Sequence, residues 1–521
     1  MSRTENVDVV VVGGGPAGST AAGLLAKAGH EVLVLERETF PRYHIGESMV
    51  SGMAPLMEEL GLVAELDARF QHKSGITLRW GKDPEPWRSD FSAAFSSTGS
   101  HFTHAWHVTR SEFDELLLDN ARSLGAKVHE AAQVTEVLKD ESGRTTGVVY
   151  TQGGETHRAT ARFVVDASGQ GRLLTRRLTQ TSWQEDLRNV AVWSYFDSYT
   201  PLDHKDDILV EAIEGGGWVW GIPLSDTRLS MGYVLPVDKL TEETRAGRTQ
   251  RDVFLDCLRR SNLAKTMVDV EALGELSTTR DWSHVCDTFH GPGWVAVGDS
   301  AAFIDPLFSS GVWLGTSGAW LAARALDAAL RDEDREEASL QHFDAVYRQL
   351  FQDILAYVRF FMDPTRLREE YEERAREIGN MVTQSSRVGF ISMISGVSAV
   401  ADVVDFDPMN VEEVEDLMQE WDEQASGSRE ADGAGRGPGG GPRAPRAPPP
   451  PPTTGPPPPP GAGGGGGGRG AGGGGGPGGP PAPRGPPAPP ACGPPPPRRG
   501  RGRRRPARWC REPTTGPGGP A

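Results

Sequence analysis

The stretch VDVVVVGGGPAGSTAAGLLAKAGHEVLVLERE (7–38) constrains this chain more than any other. An unbroken run of valines suits a strand buried on both faces, as in a parallel sheet. Glycines then interrupt it: Gly13, Gly15 and Gly18 stand in G-x-G-x-x-G spacing, with Pro16 and Ala17 opening a helix in which Ala21, Ala22, Leu24 and Leu25 can pack on the sheet. A second strand, EVLVLE, ends in Glu36, and Arg37 follows. Each piece has a mechanical reason: a tight turn, a close backbone approach to pyrophosphate, a helix N-terminus facing the anion, and a carboxylate for ribose hydroxyls. Together they predict a dinucleotide-binding α/β domain at the N-terminal end.

The other end of the chain reads differently. From about Ser426 it is Pro, Gly, Ala and Arg, with almost no apolar side chain to offset the entropy of ordering, so 426–521 is expected to be a disordered low-complexity tail. Residues 427–521 hold 14 Arg and no Lys against 3 acidic residues, which leaves the first 426 residues near −28 where the whole chain is −17. An acidic body argues against nucleic acid or anionic lipid as its partner, whereas the basic tail alone has the charge to bind either. All four tail residue types are also read from GC-rich codons, so a frameshifted translation is the competing account of it.

Cys257, Cys286, Cys492 and Cys510 form no metal-ligand spacing and no disulfide framework. No apolar run reaches the ~18 residues of a membrane span, and MSRTENVD leads into a strand without a signal peptide's basic and apolar regions. The expectation is a cytoplasmic protein with no membrane partner and no metal.

Two later stretches repeat the pattern of a strand running into small residues: ARFVVDASGQGR (161–172) and GWVAVGDSAAFIDP (293–306). Asp299 then falls at a strand's carboxyl end, placed for a ribityl hydroxyl or for capping the helix that the small residues after it are expected to open. A single nucleotide fingerprint at the N-terminus of a long chain fits FAD kept as a bound cofactor.

These three blocks, in this order, resemble the flavoprotein family of aromatic-ring hydroxylases, geranylgeranyl reductases and flavin-dependent halogenases, over roughly residues 5 to 345. The resemblance implies a Rossmann-like FAD-binding domain in pieces (1–75, 105–185 and 280–345) and an interleaved antiparallel substrate sheet (76–104 and 186–279), with a helical region (346–425) before the tail. It implies that Arg37, Arg42, Ile45, Glu47, Ser48, Arg110, Asp299, Pro306, Gly311 and Val312 join the glycine turn around FAD.

Three stretches point to the halogenase branch. GGWVWGIPL (216–224) matches its G-W-x-W-x-I-P signature; alternation puts Trp218 and Trp220 on one face of a strand that Pro223 ends. Lys73, in FQHKSGITLRWG (70–81), stands where halogenases carry the lysine that presents an electrophilic halogen. In DPLFSSGVWLG (305–315) the resemblance places a halide on backbone N–H groups and a hydroxyl around Ser310 and Gly311, at the start of a helix. The tryptophan-chlorinating branch has a glutamate two residues before that hydroxyl, where this chain has Phe308. FSSGV with FPRYHIGES (40–48) resembles the phenol and pyrrole halogenases, many of which act on carrier-tethered rings.

The implied reaction takes reduced flavin from a separate flavin reductase, forms a flavin hydroperoxide that oxidises chloride, and delivers hypochlorous acid to Lys73 and an aromatic ring. His44, His104, His107 and Glu47 are the candidates for a base. An aromatic monooxygenase and a geranylgeranyl-reductase-like flavoprotein are the alternatives that share the cofactor blocks. HFDAVYRQLFQDILAYVRFFMD (342–363) has the spacing of a helix packed on one face, and NVEEVEDLMQEWDEQ (410–424) that of a short acidic one.

Overall fold

The structure, a computed structural model, describes residues 4–83, 85–94, 103–381 and 384–408. The acidic helix expected at 410–424 and the tail at 426–521 lie outside the described residues. The valine run forms β1 (Thr4–Val12), the turn opens α1 (Pro16–Lys27), and EVLVLE supplies β2 (Val32–Leu35). Four short strands follow: β3 (Gln71–Lys73), β4 (Gly75–Arg79), β5 (Trp87–Asp90) and β6 (Ala105–His107). α2 (Arg110–Ser123) leads to β7 (Lys127–His129), β8 (Ala132–Lys139), β9 (Thr145–Gln152) and β10 (Glu155–Asp166). Next come β11 (Thr181–Phe196), β12 (Ile208–Ala212), β13 (Trp218–Pro223), β14 (Leu229–Pro236) and α3 (Gln250–Arg260). The chain continues through β15 (Ser277–Cys286), β16 (His290–Gly291), β17 (Trp294–Ala296) and β18 (Ala302–Phe303) to the long helices α4 (Gly311–Arg331) and α5 (Glu336–Phe361).

The first sheet runs β16-β17-β10-β1-β2-β7, with β9 and β8 added beyond β10. β1 lies parallel to both β10 and β2, so Val9, Val10, Val11 and Val12 are covered from both sides and fully buried. In α1, Ala21, Ala22 and Leu25 are buried as expected, and Leu24 is half-buried at the edge of the contact. Four parallel strands, β17, β10, β1 and β2, end together, and what their carboxyl ends face is the site described below.

The second sheet runs β18-β15-β11-β14-β13-β12-β4-β5. It is antiparallel throughout except where β4 joins β12, a parallel pair. β4 precedes β12 by well over a hundred residues and reaches it without a hairpin, so no tight turn imposes the antiparallel sense there. Alternation gives the sheet two faces. Val190, Val192, Val219, Met231 and Tyr233 pack with Phe254 and Leu258 of α3 in a core of their own. Ala191, Trp193, Trp218, Trp220 and Ile222 point the other way, into the main core that the first sheet shares. β3 and β6 form a separate two-stranded ribbon between the two sheets in the chain. In α5, Phe343, Tyr347, Leu350, Ile354, Tyr357 and Phe361 are buried at three- and four-residue steps, the face its sequence spacing predicts.

Candidate functional site

A cavity of about 950 Å³ opens where the two sheets meet. Val12, Leu35, Ala167 and Val297, at or just past the ends of β1, β2, β10 and β17, line one end; Ala191, Trp193, Trp218, Trp220 and Ile222 line the other. Ligands of α/β sheets gather at strand carboxyl ends because helix N-termini and backbone N–H groups converge there.

The nucleotide end is built for close approach. Gly13 has φ +106°, and a Cβ there would lie 2.4 Å from the Ala167 carbonyl oxygen. A Cβ on Gly18 would lie 2.0 Å from the Gly13 carbonyl oxygen, so the third glycine presses α1 against its own turn. Gly15 caps α1 without a side-chain hydrogen bond, which leaves the helix's first N–H groups for a ligand. Gly13, Gly15, Pro16 and Ala17 line the cavity, and Gly18 stands behind them. Glu36 also lines it, with its carboxylate already accepting from Gly14 N (2.7 Å) and Glu38 N (2.8 Å). Donor set, glycine cradle and cavity volume fit a dinucleotide.

Beyond the turn, Arg110 is buried and fixed: Nε and Nη2 donate to both oxygens of Asp114, at 2.7 and 2.9 Å, and Nη1 donates to the Ile45 carbonyl at 2.6 Å. Arg42 Nη1 also reaches Asp114, at 3.1 Å. One fully buried carboxylate thus holds two guanidiniums against the cavity wall, and its sequence signal is the i,i+4 spacing in RSEFD.

Asp299 does not cap a helix. It sits inside the 3₁₀ turn Gly298–Ser300, which leads into β18, and the next long helix starts twelve residues later at Gly311. Its carboxyl lines the cavity, and burial pushes it up to about 6 against the pull of Arg110. The capping role falls instead to Asp305, whose side chain accepts from Leu307 N and from Asn189 Nδ2 at 2.6 Å.

In the turn that follows, Ser309 is left-handed (φ +60°), and Ser310 occupies the N-cap of α4 without a side-chain cap hydrogen bond. Ser309, Gly311 and Val312 line the cavity with Pro306, and Ser310 lies just behind them, buried. A Cβ on Gly311 would meet nothing within 4 Å, so the missing side chain leaves open space beside the helix's first N–H groups. Phe308 points away into the core, its ring centroid 5.4 Å from Tyr357 and 4.9 Å from Phe361.

Lys73 is not in the cavity lining. The residue is 1% exposed, and its amine donates to the Met49 carbonyl at 2.9 Å and stands 5.4 Å from the centre of the Phe91 ring. Burial brings it down to about 7, partly opposed by Asp207. Because Glu47 and Ser48 line the cavity, Lys73 sits directly behind that stretch of wall. Of the candidate bases, His44 and Glu47 line the cavity, whereas His107 is fully buried beside Lys73 and His104 bonds Asp67 on the far side of the β3–β6 ribbon. The crowded cavity wall and the Arg110 charge hold His44 below the usual imidazole range although its side chain is exposed, and burial pushes Glu47 up.

Residues 6–355 match the FAD binding domain family. Over 417 residues the chain is 34% identical to a tryptophan 2-halogenase of Chondromyces crocatus, covering 77% of this chain and 78% of the relative. This chain belongs to the flavin-dependent halogenases. It is similar also to the flavin-dependent halogenase armH4 of Armillaria mellea, 34% identical over 68% of this chain and 70% of that one. Among solved structures, the myxobacterial chondrochloren halogenase CndH aligns with TM-score 0.64 at 32% identity, over 76% of this chain and 97% of its own. CmlS, another flavin-dependent halogenase, aligns with TM-score 0.60 at 31% identity, over 80% of this chain and 78% of its own.

The halogenase therefore uses FAD, and the cavity brings together most of the residues singled out from sequence: Gly13, Gly15, Pro16, Ala17, Glu36, Arg37, Arg42, Ile45, Glu47, Ser48, Arg110, Asp299, Pro306, Gly311, Val312, Trp218 and Trp220. Gly18, Lys73, Ser310 and Pro223 stand outside its lining. Pro223 is the last residue of β13, as expected. The two indoles lie on the cavity face with centroids 5.9 Å apart. Sequence reasoning missed what makes room for them: Gly232, opposite Trp220 on β14, where a Cβ would come within 2.4 Å of the indole ring. It also missed Tyr43, Tyr195 and Trp193, which join Glu47 in one hydrogen-bonded row. No single described helix is long and apolar enough to cross a membrane.

Proposed function

We propose that this halogenase chlorinates an electron-rich aromatic ring, first a phenolic, tyrosine-like or polyketide-derived one and second a pyrrole, free or carried on an acyl or peptidyl carrier protein, in the cytoplasm and in natural-product biosynthesis. The observation that carries the substrate reading is Phe308. The position where the tryptophan-chlorinating branch keeps a glutamate is here packed into an aromatic core, so no carboxylate faces the ring from that side. An indole substrate is the second reading, favoured by the name of the tryptophan 2-halogenase relative.

In this reading Gly13 to Gly18 and the start of α1 hold the pyrophosphate, Glu36 and Arg37 stand by the adenosine ribose, and Arg42, Ile45, Glu47, Ser48, Arg110, Asp299, Pro306, Gly311 and Val312 surround the rest of FAD. Reduced FAD, supplied by a separate flavin reductase, provides with oxygen the oxidant that turns chloride into hypochlorous acid. The N–H groups at Ser310 and Gly311 hold the halide, since unsatisfied donors at a helix start attract a small anion. Lys73 presents the electrophile. With a pKa near 7 a large share of its amine is uncharged at neutral pH, and only the uncharged amine has the lone pair that bonds chlorine.

Incubation with a flavin reductase, NADH, FAD and chloride or bromide, on a panel of free and carrier-tethered phenols, pyrroles and indoles, tests this. The expected result is halide-dependent product, strongest on phenols and carrying the halogen isotope pattern. Oxygenated product that ignores halide supply defeats the proposal. Lys73→Ala is expected to keep FAD and flavin oxidation while losing more than about 99% of product, a loss of catalytic-group size.

A further inference from the structure

We infer that Asp67, His72 and His104 form a binding site for one divalent transition-metal ion of the zinc class, which clips the β3–β6 ribbon to the helix before it. None of the three lines the FAD cavity, and the inference does not depend on which ring the enzyme halogenates. It replaces the expectation of no metal, which rested on the spacing of the cysteines.

Three segments supply the ligands. Asp67 lies on the short helix Val63–Arg69, His72 in β3, and His104 just before β6. Each offers one ligand atom, and the three atoms lie within 4.8 Å of one another. His104 Nε2 is 2.9 Å and His72 Nε2 3.2 Å from Asp67 Oδ1. Ligand atoms around a tetrahedral zinc stand about 3.3 Å apart, so small rotations of these side chains close the set.

The contacts themselves point to a cation. Oδ1 already accepts from His104 Nε2 and from the Trp106 indole, both at 2.9 Å, which takes up its two lone pairs. His72 Nε2 is held against the same oxygen with no lone pair left there to receive a hydrogen. The two imidazoles are stacked, centroids 3.9 Å and planes 17° apart, so protonating both would set like charges face to face. A metal ion resolves both features: each neutral ring keeps its one hydrogen on Nδ1 and turns the Nε2 lone pair to the ion. Trp106, fully buried, goes on donating to Oδ1 and aims the carboxylate from behind, the outer support that metal-binding carboxylates use. Two imidazoles and one carboxylate select zinc and its transition-metal neighbours over magnesium and calcium, which prefer oxygen. The side chains of Asp67, His72 and His104 are 39%, 44% and 22% exposed, so water can fill the remaining position.

Position gives the ion a mechanical effect. His72 is next to Lys73, and His104 is next to Ala105, the residue paired with Lys73 across the ribbon. An ion held by both histidines and by Asp67 ties the helix to both strands beside the buried amine.

The test uses the full-length, FAD-loaded enzyme, freed of metal and titrated with zinc acetate against a chromogenic chelator. Wild type is compared with Asp67→Asn, His72→Ala, His104→Ala and a control, His204→Ala, at an exposed histidine outside the site. The expected result is one zinc with Kd below about 0.1 mM in wild type and control, and binding at least about tenfold weaker in each ligand variant. Zinc K-edge absorption of wild type is expected to show two imidazole nitrogens with oxygen, and it decides the ligand set even where a variant loses its fold. Weaker zinc binding in wild type, equal affinity in the three ligand variants, or sulfur around the ion would overturn the site. Millimolar magnesium acetate is expected to leave the zinc in place, and displacement would overturn the metal class. Amides of β3 and β6 are expected to exchange hydrogen at least about threefold more slowly with zinc in wild type but not in His104→Ala. Equal exchange with and without zinc in wild type would overturn the clip.

Discussion

Lys73 imposes a free-energy cost whose pH dependence follows from its burial. Below about pH 7 the amine is protonated in both the folded and the unfolded chain, and the fold bears the full penalty of a buried cation. Between that pH and the ordinary lysine value the unfolded chain holds the proton and the folded one does not, so stability climbs with pH; above about 10.4 the penalty is gone. Met49 O is its one hydrogen-bond acceptor among the described residues, and a single bond does not offset losing bulk water. Lys73→Met is therefore expected to raise stability at pH 7 by about 2 kcal/mol after the lost hydrogen bond is counted, and the gain should vanish above pH 10. Urea melts of both proteins at pH 7 and 10.5 check this. A variant less stable than wild type at pH 7 would mean the amine is paired in a way its surroundings do not show. The expected gain in stability with loss of product is the trade-off of a group retained for chemistry.

Among the elements, β13 and β14 show how much of the site a sequence can carry. The W-x-W alternation places both indoles on one face without help from any other strand, and the Val run with its glycine spacing encodes β1, the turn and α1 within some thirty residues. What reads poorly depends on distant partners. Lys73 looks like any surface lysine until Met49 and Phe91 close over it, and Asp299 looks like a helix cap until the next residues fold into β18. The row from Tyr43 to Tyr195 spans 152 positions. Gly232 belongs with these: it reads as a weak point in a strand, yet it is the gap that seats Trp220. Gly232→Ala is expected to push that indole into the cavity, raising KM for the aromatic substrate about tenfold while FAD affinity stays within about twofold, because a one-carbon clash is felt locally. Fluorescence titration of FAD and steady-state kinetics separate the two. An equal loss in both would show that the sheet face and the cofactor end are not independent.

On the scale of the whole molecule, charge is the property that one part of the chain changes for another. The first 426 residues carry about −28, and the segment 427–521 brings the total to −17. Like charges on a compact body repel, and salt relieves them; from about 0.01 M to 0.15 M the screening length falls from about 30 Å to 8 Å. A chain cut after residue 426 keeps the cavity, both sheets and every site residue named above, but loses 14 arginines. It is expected to melt lower than the full chain at low ionic strength, to gain more from added potassium acetate, and to converge with it near physiological salt. Acetate is the salt to use, because chloride would add the stabilisation that the halide site proposed at the Ser310–Gly311 turn predicts. On that proposal the excess of chloride over acetate at equal ionic strength is the same in both chains, since both keep the turn. Parallel melting curves across all salt concentrations would mean that the arginines do not act on the acidic body at all.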